Sequence, residues 1–359
     1  MKVNGIPVRT IRSIEGRAIE IIDQTRLPWR FERRVLSDWR DCVEAIASMR
    51  VRGASLIGVT GAWAIALATQ EDPSNVALKA AAERIRNARP TAVTLSAAVH
   101  RMMAVLLPRE PALRASVALD LATQMLQEDV MRCRAMGEAG AGIITALYQR
   151  LRRPINVLTH GNAGWLSTVD YGTALAPVYE AFERGIPVHV WIDETRPRNQ
   201  GLLSAWELNG QGIPHTLITD NAGGQLMQHS DVDLVLVGAD RITRSGDAAC
   251  KVGSYLKALA ARDNDIPFYV VAPSSAVDWY LVDGLNEITI ENRSSAEVFS
   301  VRGIDSSGRE ATVQIASPEE ATINPAFDVT PGRLITGIIT ERGIVAPEEV
   351  AETFEPIEK

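Results

Sequence analysis

The residues best suited to chemistry lie in one stretch, Leu234–Lys251, which reads LVLVGADRITRSGDAACK. Its four leading apolar residues predict a strand buried on both faces, as in a parallel sheet. Asp240 follows that strand directly, at the end where open α/β sheets bind ligands. A helical pattern from about Ala248 places Lys251 in the first turn of a helix. An acid and a lysine so placed could serve one anionic substrate, although a solvated loop capped by Asp247 explains the same pattern.

Polar residues follow each of the first four predicted strands in the second half of the chain. The four polar segments are Thr159–Gly164, Asp193–Gly201, Thr219–Asn221 and Gly238–Arg241. The carboxyl ends of parallel strands share one edge of a sheet, so these segments would form one polar crevice. Turn residues commonly follow strands, and a single segment is therefore weak evidence. Four in succession favour an active site.

A second group of candidate residues precedes an apolar helix predicted over Val59–Ala68. Arg52, together with the backbone amides of Gly53 and Ala54 at the positive end of that helix, could cradle a phosphate. A surface arginine beside a tight turn explains the same residues equally well. Arg89 precedes a proline, which predicts an extended or turn conformation rather than a helical one.

Other catalytic signatures are missing from the sequence. The five histidines lack metal-ligand spacing, and there is no Cys-x-x-Cys pair, so we expect no metal centre. No P-loop, nucleophile elbow or strand-linked dinucleotide fingerprint occurs. We interpret His160 as a hydrogen-bonded structural residue rather than as a ligand or catalytic base.

The elements that must position these residues predict an α/β protein with two domains. Residues 1–130 predict a small N-terminal sheet plus helices, and residues 131–359 predict a Rossmann-like domain with a parallel sheet. Its strands are predicted over Ile155–His160, Val188–Asp193, His215–Thr219, Asp233–Ala239 and Phe268–Ala272. A glycine-rich break between helices is predicted at residues 137–140, and a last helix over residues 332–340.

Composition excludes several classes of function. A net charge of −7 and a pI of about 5.4 argue against a surface that binds nucleic acid. No apolar run approaches the ~20 residues that a membrane helix needs. The N-terminus lacks an apolar signal core, and three widely spaced cysteines do not suggest a disulfide framework. We therefore expect a cytoplasmic protein that acts on a small molecule, without a membrane or nucleic-acid partner.

Seven segments resemble the methylthioribose-1-phosphate isomerase family, in order and across nearly the whole chain. They are RGASLIG (52–58), RPTAV (89–93), THGNAG (159–164), ETRPRNQG (194–201), GADRI (238–242), GDAACKVG (246–253) and NPAFDVTP (324–331). Related families are ribose-1,5-bisphosphate isomerases, 5-deoxyribose-1-phosphate isomerases and the regulatory subunits of a translation-initiation exchange factor. The resemblance implies a homodimer that converts an aldose 1-phosphate to the ketose 1-phosphate without a cofactor, here within methionine salvage.

The resemblance also implies residue roles. Asp240 matches the catalytic acid, which would protonate the ring oxygen of the sugar phosphate before hydrogen moves from C2 to C1. That role requires a raised pKa, and we expect Asp240 to lie in a dry pocket. The positions that match substrate contacts are Arg52, Gly53, Ala54, Arg89, Gln200, Cys250 and Lys251.

Two positions depart from the family pattern. Gly161 stands where the family motif has a cysteine, and Cys250 stands where an asparagine precedes Lys251. We hypothesise that Cys250 returns a thiol to the site, as a thiolate favoured by a helix N-terminus. Alternatively, Cys250 only fills space and the activity is weak, altered or absent. The chain could also be a paralogue for another pentose phosphate, or a non-catalytic regulatory protein that binds a sugar phosphate.

Overall fold

The computed structural model describes residues 1–354. Internal contacts divide the chain into two compact units. Unit 1 consists of residues 1–134 and 164–173, and unit 2 consists of residues 135–163 and the residues from 174 onward. Residues 355–359, which the predicted second domain includes, lie outside the described residues. No helix among residues 1–354 combines the length and the apolar composition needed to cross a membrane.

Unit 1 starts with two small antiparallel sheets and continues with helices. Its strands are β1 (Lys2–Val3), β2 (Ile6–Pro7), β3 (Ile11–Ile14), β4 (Ala18–Ile22) and β5 (Arg33–Leu36). Its helices are α1 (Trp39–Ala47), α2 (Ala54–Glu71), α3 (Asn75–Asn87), α4 (Val93–Leu106) and the first part of α5 (Pro111–Leu151). The strand β4 lies between β3 and β5. The small N-terminal sheet and the helical part are therefore as predicted.

The helix α2 is buried along nearly its whole length and forms the centre of unit 1. A helix that is apolar on all sides must be surrounded by protein. Gly58 and Gly61 allow α4 to approach, because a Cβ atom on Gly61 would lie 2.3 Å from Cδ1 of Leu95. The helix begins at Ala54, earlier than the predicted Val59, so Arg52 and Gly53 lie directly at its N-terminus.

The break predicted at residues 137–140 is wrong, because α5 continues through it to Leu151. The glycines there permit close packing instead of ending the helix. A Cβ atom on Gly137 would lie 3.1 Å from the carbonyl oxygen of Ala176, and one on Gly140 would lie 2.4 Å from Cγ of Pro177.

Unit 2 alternates strands and helices after α5. Its elements in chain order are β6 (Ile155–His160), α6 (Ala176–Glu183), β7 (Val188–Asp193), α7 (Gly201–Gln211), β8 (His215–Ile218), α8 (Ala222–Gln228), β9 (Leu234–Thr243), β10 (Ala248–Lys251), α9 (Ser254–Asp263), β11 (Phe268–Val271), β12 (Val277–Asp278), α10 (Gly284–Glu287), α11 (Ala296–Phe299), β13 (Ser300–Ile304), β14 (Glu310–Gln314), β15 (Phe327–Thr330), β16 (Gly337–Thr340), β17 (Gly343–Val345) and α12 (Val350–Thr353).

The main sheet of unit 2 confirms the predicted Rossmann-like fold. Its parallel strands follow the order β8-β7-β6-β9-β11-β16, and β17 is added antiparallel at one edge. Numbered along the chain, the six parallel strands give 3-2-1-4-5-6, the order of a doubly wound dinucleotide-type sheet. The strand order reverses between β6 and β9. Sheets of this class bind ligands at the carboxyl ends of the strands at that point.

Two predicted helices of unit 2 are wrong. The segment 332–340 contains a 3₁₀ turn, Gly332–Leu334, and then β16, which is buried throughout and pairs with β11. The segment from Ala248 forms β10, and α9 begins only at Ser254. β10 pairs antiparallel with both β9 and β15, so hydrogen bonds on both sides outweigh the helical preference of its residues.

Candidate active site

The predicted phosphate-binding loop of unit 1 forms the N-terminus of α2. Gly53 is the N-cap residue, has a φ of 94°, and provides no side chain to cap the helix. A Cβ atom on Gly53 would lie 2.2 Å from the carbonyl oxygen of Ser167, so this conformation and packing require glycine. The first amides of a helix have no partner within the helix, and they carry its positive end. They are therefore suited to bind an anion.

The loop that contains Arg89 lies beside the same helix end. It leads into α4, whose N-cap residue Ala92 also provides no side-chain hydrogen bond. The hydroxyl of Thr94, in the first turn of α4, donates to the carbonyl oxygen of Ala54 over 2.6 Å. Two helix N-termini therefore lie together, and the half-buried Arg52 and Arg89 each precede one of them. Arginines with helix N-termini form a common phosphate-binding arrangement.

Asp129 supports this loop from α5, and sequence reasoning missed it. Its carboxylate accepts a hydrogen bond from the amide of Val169 over 2.8 Å and another from the side chain of Ser55. Burial raises the pKa of Asp129. An acidic residue between the core positions Leu126 and Val130 is the signal that the sequence offers, because a buried carboxyl needs partners.

Asp240 lies just past the edge of the main sheet in unit 2. The ladder of β9 with β6 ends at Val237, and the ladder with β11 ends at Gly238. Beyond these residues β9 pairs with β10, and Ala239 lies opposite Cys250. Asp240 therefore lies on β9, one of the two strands between which the strand order reverses.

The predicted dry pocket around Asp240 is wrong for this structure. The side chain of Asp240 is exposed, whereas Leu234–Val237 are fully buried. The difference arises because β9 has left the cover of β6 and β11 by the time it reaches Asp240.

Cys250 does not behave as the hypothesis of a returned thiolate requires. It lies in β10 rather than at a helix N-terminus, and its side chain is fully buried in the hydrophobic core of unit 2. Burial raises the pKa of the Cys250 thiol well above its ordinary value, and the carboxylates of Asp328 and Asp240 raise it further. The group is therefore a neutral thiol that fills the core, and the thiolate hypothesis is wrong.

Three other predicted site residues of unit 2 lie together at the carboxyl end of β6. A Cβ atom on Gly161 would lie 3.5 Å from Cβ of Lys251. The amide of Gln200 donates to Oδ1 of the neighbouring Asn162 over 2.5 Å. Gly161, Gln200 and Lys251 are thus grouped where the strand order reverses.

The ammonium of Lys251 is held by two groups on the β15 side. Its Nζ donates to the carbonyl oxygen of Ala326 over 2.8 Å and lies 4.2 Å from the centre of the Phe327 ring. A cation over an aromatic face is attracted by the electron density of the ring. These contacts give the ammonium a defined position, whereas the β and γ carbons of Lys251 are the atoms that face Gly161.

One group of donor atoms among the described residues could hold a metal ion, and it consists of His160, Asp193 and Asp220. The ammonium of Lys257 lies 3.0 Å from Oδ2 of Asp193 and already supplies positive charge there. These three side chains and Lys257 therefore form one cluster of ionisable groups.

Comparisons with known proteins agree with this fold. A family model described as the initiation factor 2 subunit family matches residues 50–347. The methylthioribose-1-phosphate isomerase of Methylorubrum populi is 53% identical over 351 residues, which cover 97% of this chain and 96% of that protein.

Solved structures with a similar fold include members of the same two families. The 5-methylthioribose 1-phosphate isomerase of Pyrococcus horikoshii is 36% identical, with a TM-score of 0.84 and coverage of 97% of this chain and 94% of that chain. The translation initiation factor eIF-2B, subunit delta, of A. fulgidus is 38% identical, with a TM-score of 0.80 and coverage of 96% and 97%. The chain therefore belongs to the initiation factor 2 subunit family and, within it, to the methylthioribose-1-phosphate isomerase family.

Proposed function

We propose that this protein converts 5-methylthioribose 1-phosphate to 5-methylthioribulose 1-phosphate, an aldose–ketose isomerisation of methionine salvage. The observation that carries the proposal is the 53% identity to a protein of that name over 97% of the chain. Asp240 lies near the point where the strand order of the sheet reverses, and ligands bind there in sheets of this class. This position supports the proposal, since the reaction needs an acid beside the bound sugar.

The proposed chemistry begins with an acid because the phosphate on C1 prevents spontaneous opening of the ring. Asp240 protonates the ring oxygen, and the bond between that oxygen and C1 breaks. The hydrogen on C2 then moves with its electron pair to C1, and the hydroxyl on C2 becomes a carbonyl group by losing its proton. That proton returns to Asp240. A bound sugar excludes water from the exposed carboxyl, and desolvation favours its neutral, proton-donating form.

The proposed phosphate contacts use the groups described above. Arg52 and Arg89 supply guanidinium groups, the backbone at Gly53 and Ala54 supplies amides, and Lys251 supplies an ammonium. Guanidinium groups bind phosphate oxygens in pairs and therefore also orient the substrate. We assign Gln200 to the sugar hydroxyls, because its side chain is an uncharged donor and acceptor.

The test is ketose formation from 5-methylthioribose 1-phosphate by the purified protein and by Asp240→Asn. We expect turnover by the unmodified protein and a loss on the order of 10²–10⁴ in kcat for the variant, the range typical of general acid catalysis. Asp263→Asn, which changes another exposed carboxylate of unit 2, serves as the matched control and retains full activity. Turnover by Asp240→Asn at the rate of the control would overturn the assignment of the acid.

A second candidate function rests on Gly161, because the family motif has a cysteine at that position. The same chemistry would then act on 5-deoxyribose 1-phosphate or ribose 1,5-bisphosphate. A panel of the three sugar phosphates separates these candidates by their kcat/KM values. Binding without turnover for the whole panel would favour the regulatory alternative.

We further propose that the protein acts as a homodimer in the cytoplasm. The family resemblance supports the dimer, and the three buried, unpaired cysteines fit a reducing compartment. Sedimentation velocity at micromolar concentration tests the dimer, and a monomeric mass across that range would contradict it.

A further inference from the structure

Four titratable side chains form a compact cluster, called here the edge cluster, at the carboxyl ends of β6, β7 and β8. Its members are His160, Asp193, Asp220 and Lys257. Nδ1 of His160 lies 2.9 Å from Oδ2 of Asp193 and 3.7 Å from Oδ1 of Asp220. Asp193 is completely buried, and its Oδ2 also receives the ammonium of Lys257 over 3.0 Å. Two carboxylates and an ammonium therefore surround one imidazole.

Both ring nitrogens of His160 face groups that only accept hydrogen bonds. Nδ1 lies 2.9 Å from Oδ2 of Asp193, an oxygen that also receives the ammonium of Lys257. Nε2 lies 2.7 Å from the carbonyl oxygen of Val252, which has no proton to give. Donation from both ring nitrogens is the arrangement that satisfies both acceptors, because a ring with one N–H can donate to only one of them.

The edge cluster connects the loops that carry the proposed binding residues. The Val252 carbonyl that His160 holds is adjacent to Lys251. Gly253 follows, and a Cβ atom there would lie 2.9 Å from Nε2 of His160, so the turn closes directly onto the ring. These contacts fix the turn after β10 against the end of β6.

The same cluster reaches Gly161 through a second path. Asp220 accepts hydrogen bonds from the amides of Thr195 and Arg196, each over 2.8 Å. The hydroxyl of Thr195 accepts from the amide of Gly161 over 3.0 Å and donates to the carbonyl oxygen of Asp193. The hydrogen bonds and ion pairs of the edge cluster therefore join the loops after β6, β7 and β10.

We propose that His160 is a positioning residue for the isomerisation: by donating from both ring nitrogens, to Asp193 and to Val252, it fixes Lys251 beside Gly161. The proposal rests on the proposed function for its kinetic consequence, but its structural content is independent of the substrate. Loss of the link to Val252 loosens the turn at Gly253, and the adjacent backbone of Lys251 moves relative to Gly161. Substrate binding then weakens, whereas the acid on β9 keeps its place.

The first experiment needs no activity. Nitrogen-15 spectra of the full-length protein should show protons on both ring nitrogens of His160, assigned by the signals that His160→Gln removes. A ring with one unprotonated nitrogen would overturn the proposal. Hydrogen exchange followed by mass spectrometry should show faster exchange at residues 251–255 in His160→Asn than in His189→Gln. His189 is the matched control because it lies on β7 and bonds to Thr216, away from the edge cluster.

The second experiment separates the two hydrogen bonds of the ring. The amide nitrogen of asparagine replaces Nδ1, and that of glutamine replaces Nε2. We expect His160→Asn to raise KM on the order of tenfold and to change kcat by less than about threefold, because binding groups move and the acid does not. His160→Gln, which retains a donor toward Val252, should recover most of the lost affinity. Equal KM values in both variants and in His189→Gln would overturn the proposal.

Gly253→Ala provides a second route to the same displacement without altering the imidazole. The added methyl group collides with the His160 ring and occupies a backbone with a φ of 107°. We expect it to raise KM in the same direction as His160→Asn. If the unmodified protein forms no ketose, the proposed function fails, and the spectra and exchange rates still decide the role of His160.

Discussion

Some residues at the carboxyl edge of the sheet are proposed to contact the substrate, and others, such as Cys250, only fill space in the core. Asp240 and Gln200 lie in the polar segments that follow predicted strands, whereas Lys251 ends the strand β10 instead of beginning a helix. The hypothesis that Cys250 supplies a reactive thiolate could not be tested from sequence, because a reactive and an inert thiol differ only in their surroundings. The strand β10 turns Cys250 into the core. The chain therefore has no thiol at the position of Gly161 and no nearby thiolate to replace it.

Gly161→Cys tests whether that missing thiol limits turnover. The new side chain has ordinary contact distances to Lys251, but the φ of 91° disfavours any side chain. We expect the free energy of unfolding to fall by about 1–2 kcal/mol, the cost of a strained backbone. We expect kcat to rise, since the family places its cysteine here. Gly161→Ser is the control of equal size, and the same increase in that variant would exclude a thiol effect.

The reactivity of the cysteines is a second prediction at this scale. Cys42, Cys133 and Cys250 are all buried, and burial raises the pKa of each thiol. Only the thiolate reacts, so iodoacetamide at about pH 8 should leave all three unmodified in the native protein and label them in denaturant. Mass spectrometry gives the count. Rapid modification of Cys250 in the native protein would contradict its placement in the core.

Helices and strands were predicted correctly where one local sequence pattern dominated. They were predicted incorrectly where pairing or packing with distant segments determined the structure. Five of the six parallel strands of unit 2, all except β16, are predicted from short strand-like segments that alternate with helical ones. The residues of β10 suit a helix, but β9 and β15 offer hydrogen bonds on both sides. The glycines of α5 resemble a break, yet close packing at Ala176 and Pro177 accounts for them. Such long-range effects leave no mark on local periodicity.

The pairing of α4 with α5 gives a prediction about pH. Arg101 on α4 donates twice to Glu128 on α5, over 2.6 and 2.8 Å. These hydrogen bonds lower the pKa of Glu128. The pair therefore stabilises the protein fully above about pH 4.3, where an unfolded glutamate is ionised, and the effect is lost as pH falls through the lowered folded value.

Arg101→Met measures this contribution. Because both side chains are partly exposed, we expect a loss of about 0.5–1 kcal/mol in the free energy of unfolding at neutral pH. Urea denaturation across pH should show the difference vanishing in acid. Lys79→Met, which alters an exposed cation on α3, should show no such pH dependence. A constant difference at all pH values would mean that packing, not the ion pair, is responsible.

The whole molecule depends on a sheet whose last parallel strand comes near the end of the described chain. The sequence alone suggested a helix there, which would pack on an already complete sheet. Instead β16 is buried throughout and lies between β11 and β17. The order of the strands could not be derived from sequence, because it depends on contacts between distant segments. The division into domains at residues 130 and 131 stays a prediction.

A chain that ends at Pro331 tests this placement. Without β16, the edge of β11 and the apolar side chains beneath it are exposed, so we expect aggregation or loss of cooperative unfolding. Circular dichroism melting and gel filtration provide the measurement, with the full chain as the reference. A truncated protein that melts cooperatively near the temperature of the full chain would contradict the role of β16.

The path of the chain through its two units has a consequence for how such proteins can be recombined. Residues 164–173 group with unit 1, although the segments on both sides of them group with unit 2. No single crossover between two related genes can therefore exchange one unit intact. A hybrid joined once, anywhere in α5, would combine a foreign unit 1 with a ten-residue piece that evolved alongside a different one. Functional chimaeras need that piece to travel with the N-terminal gene fragment.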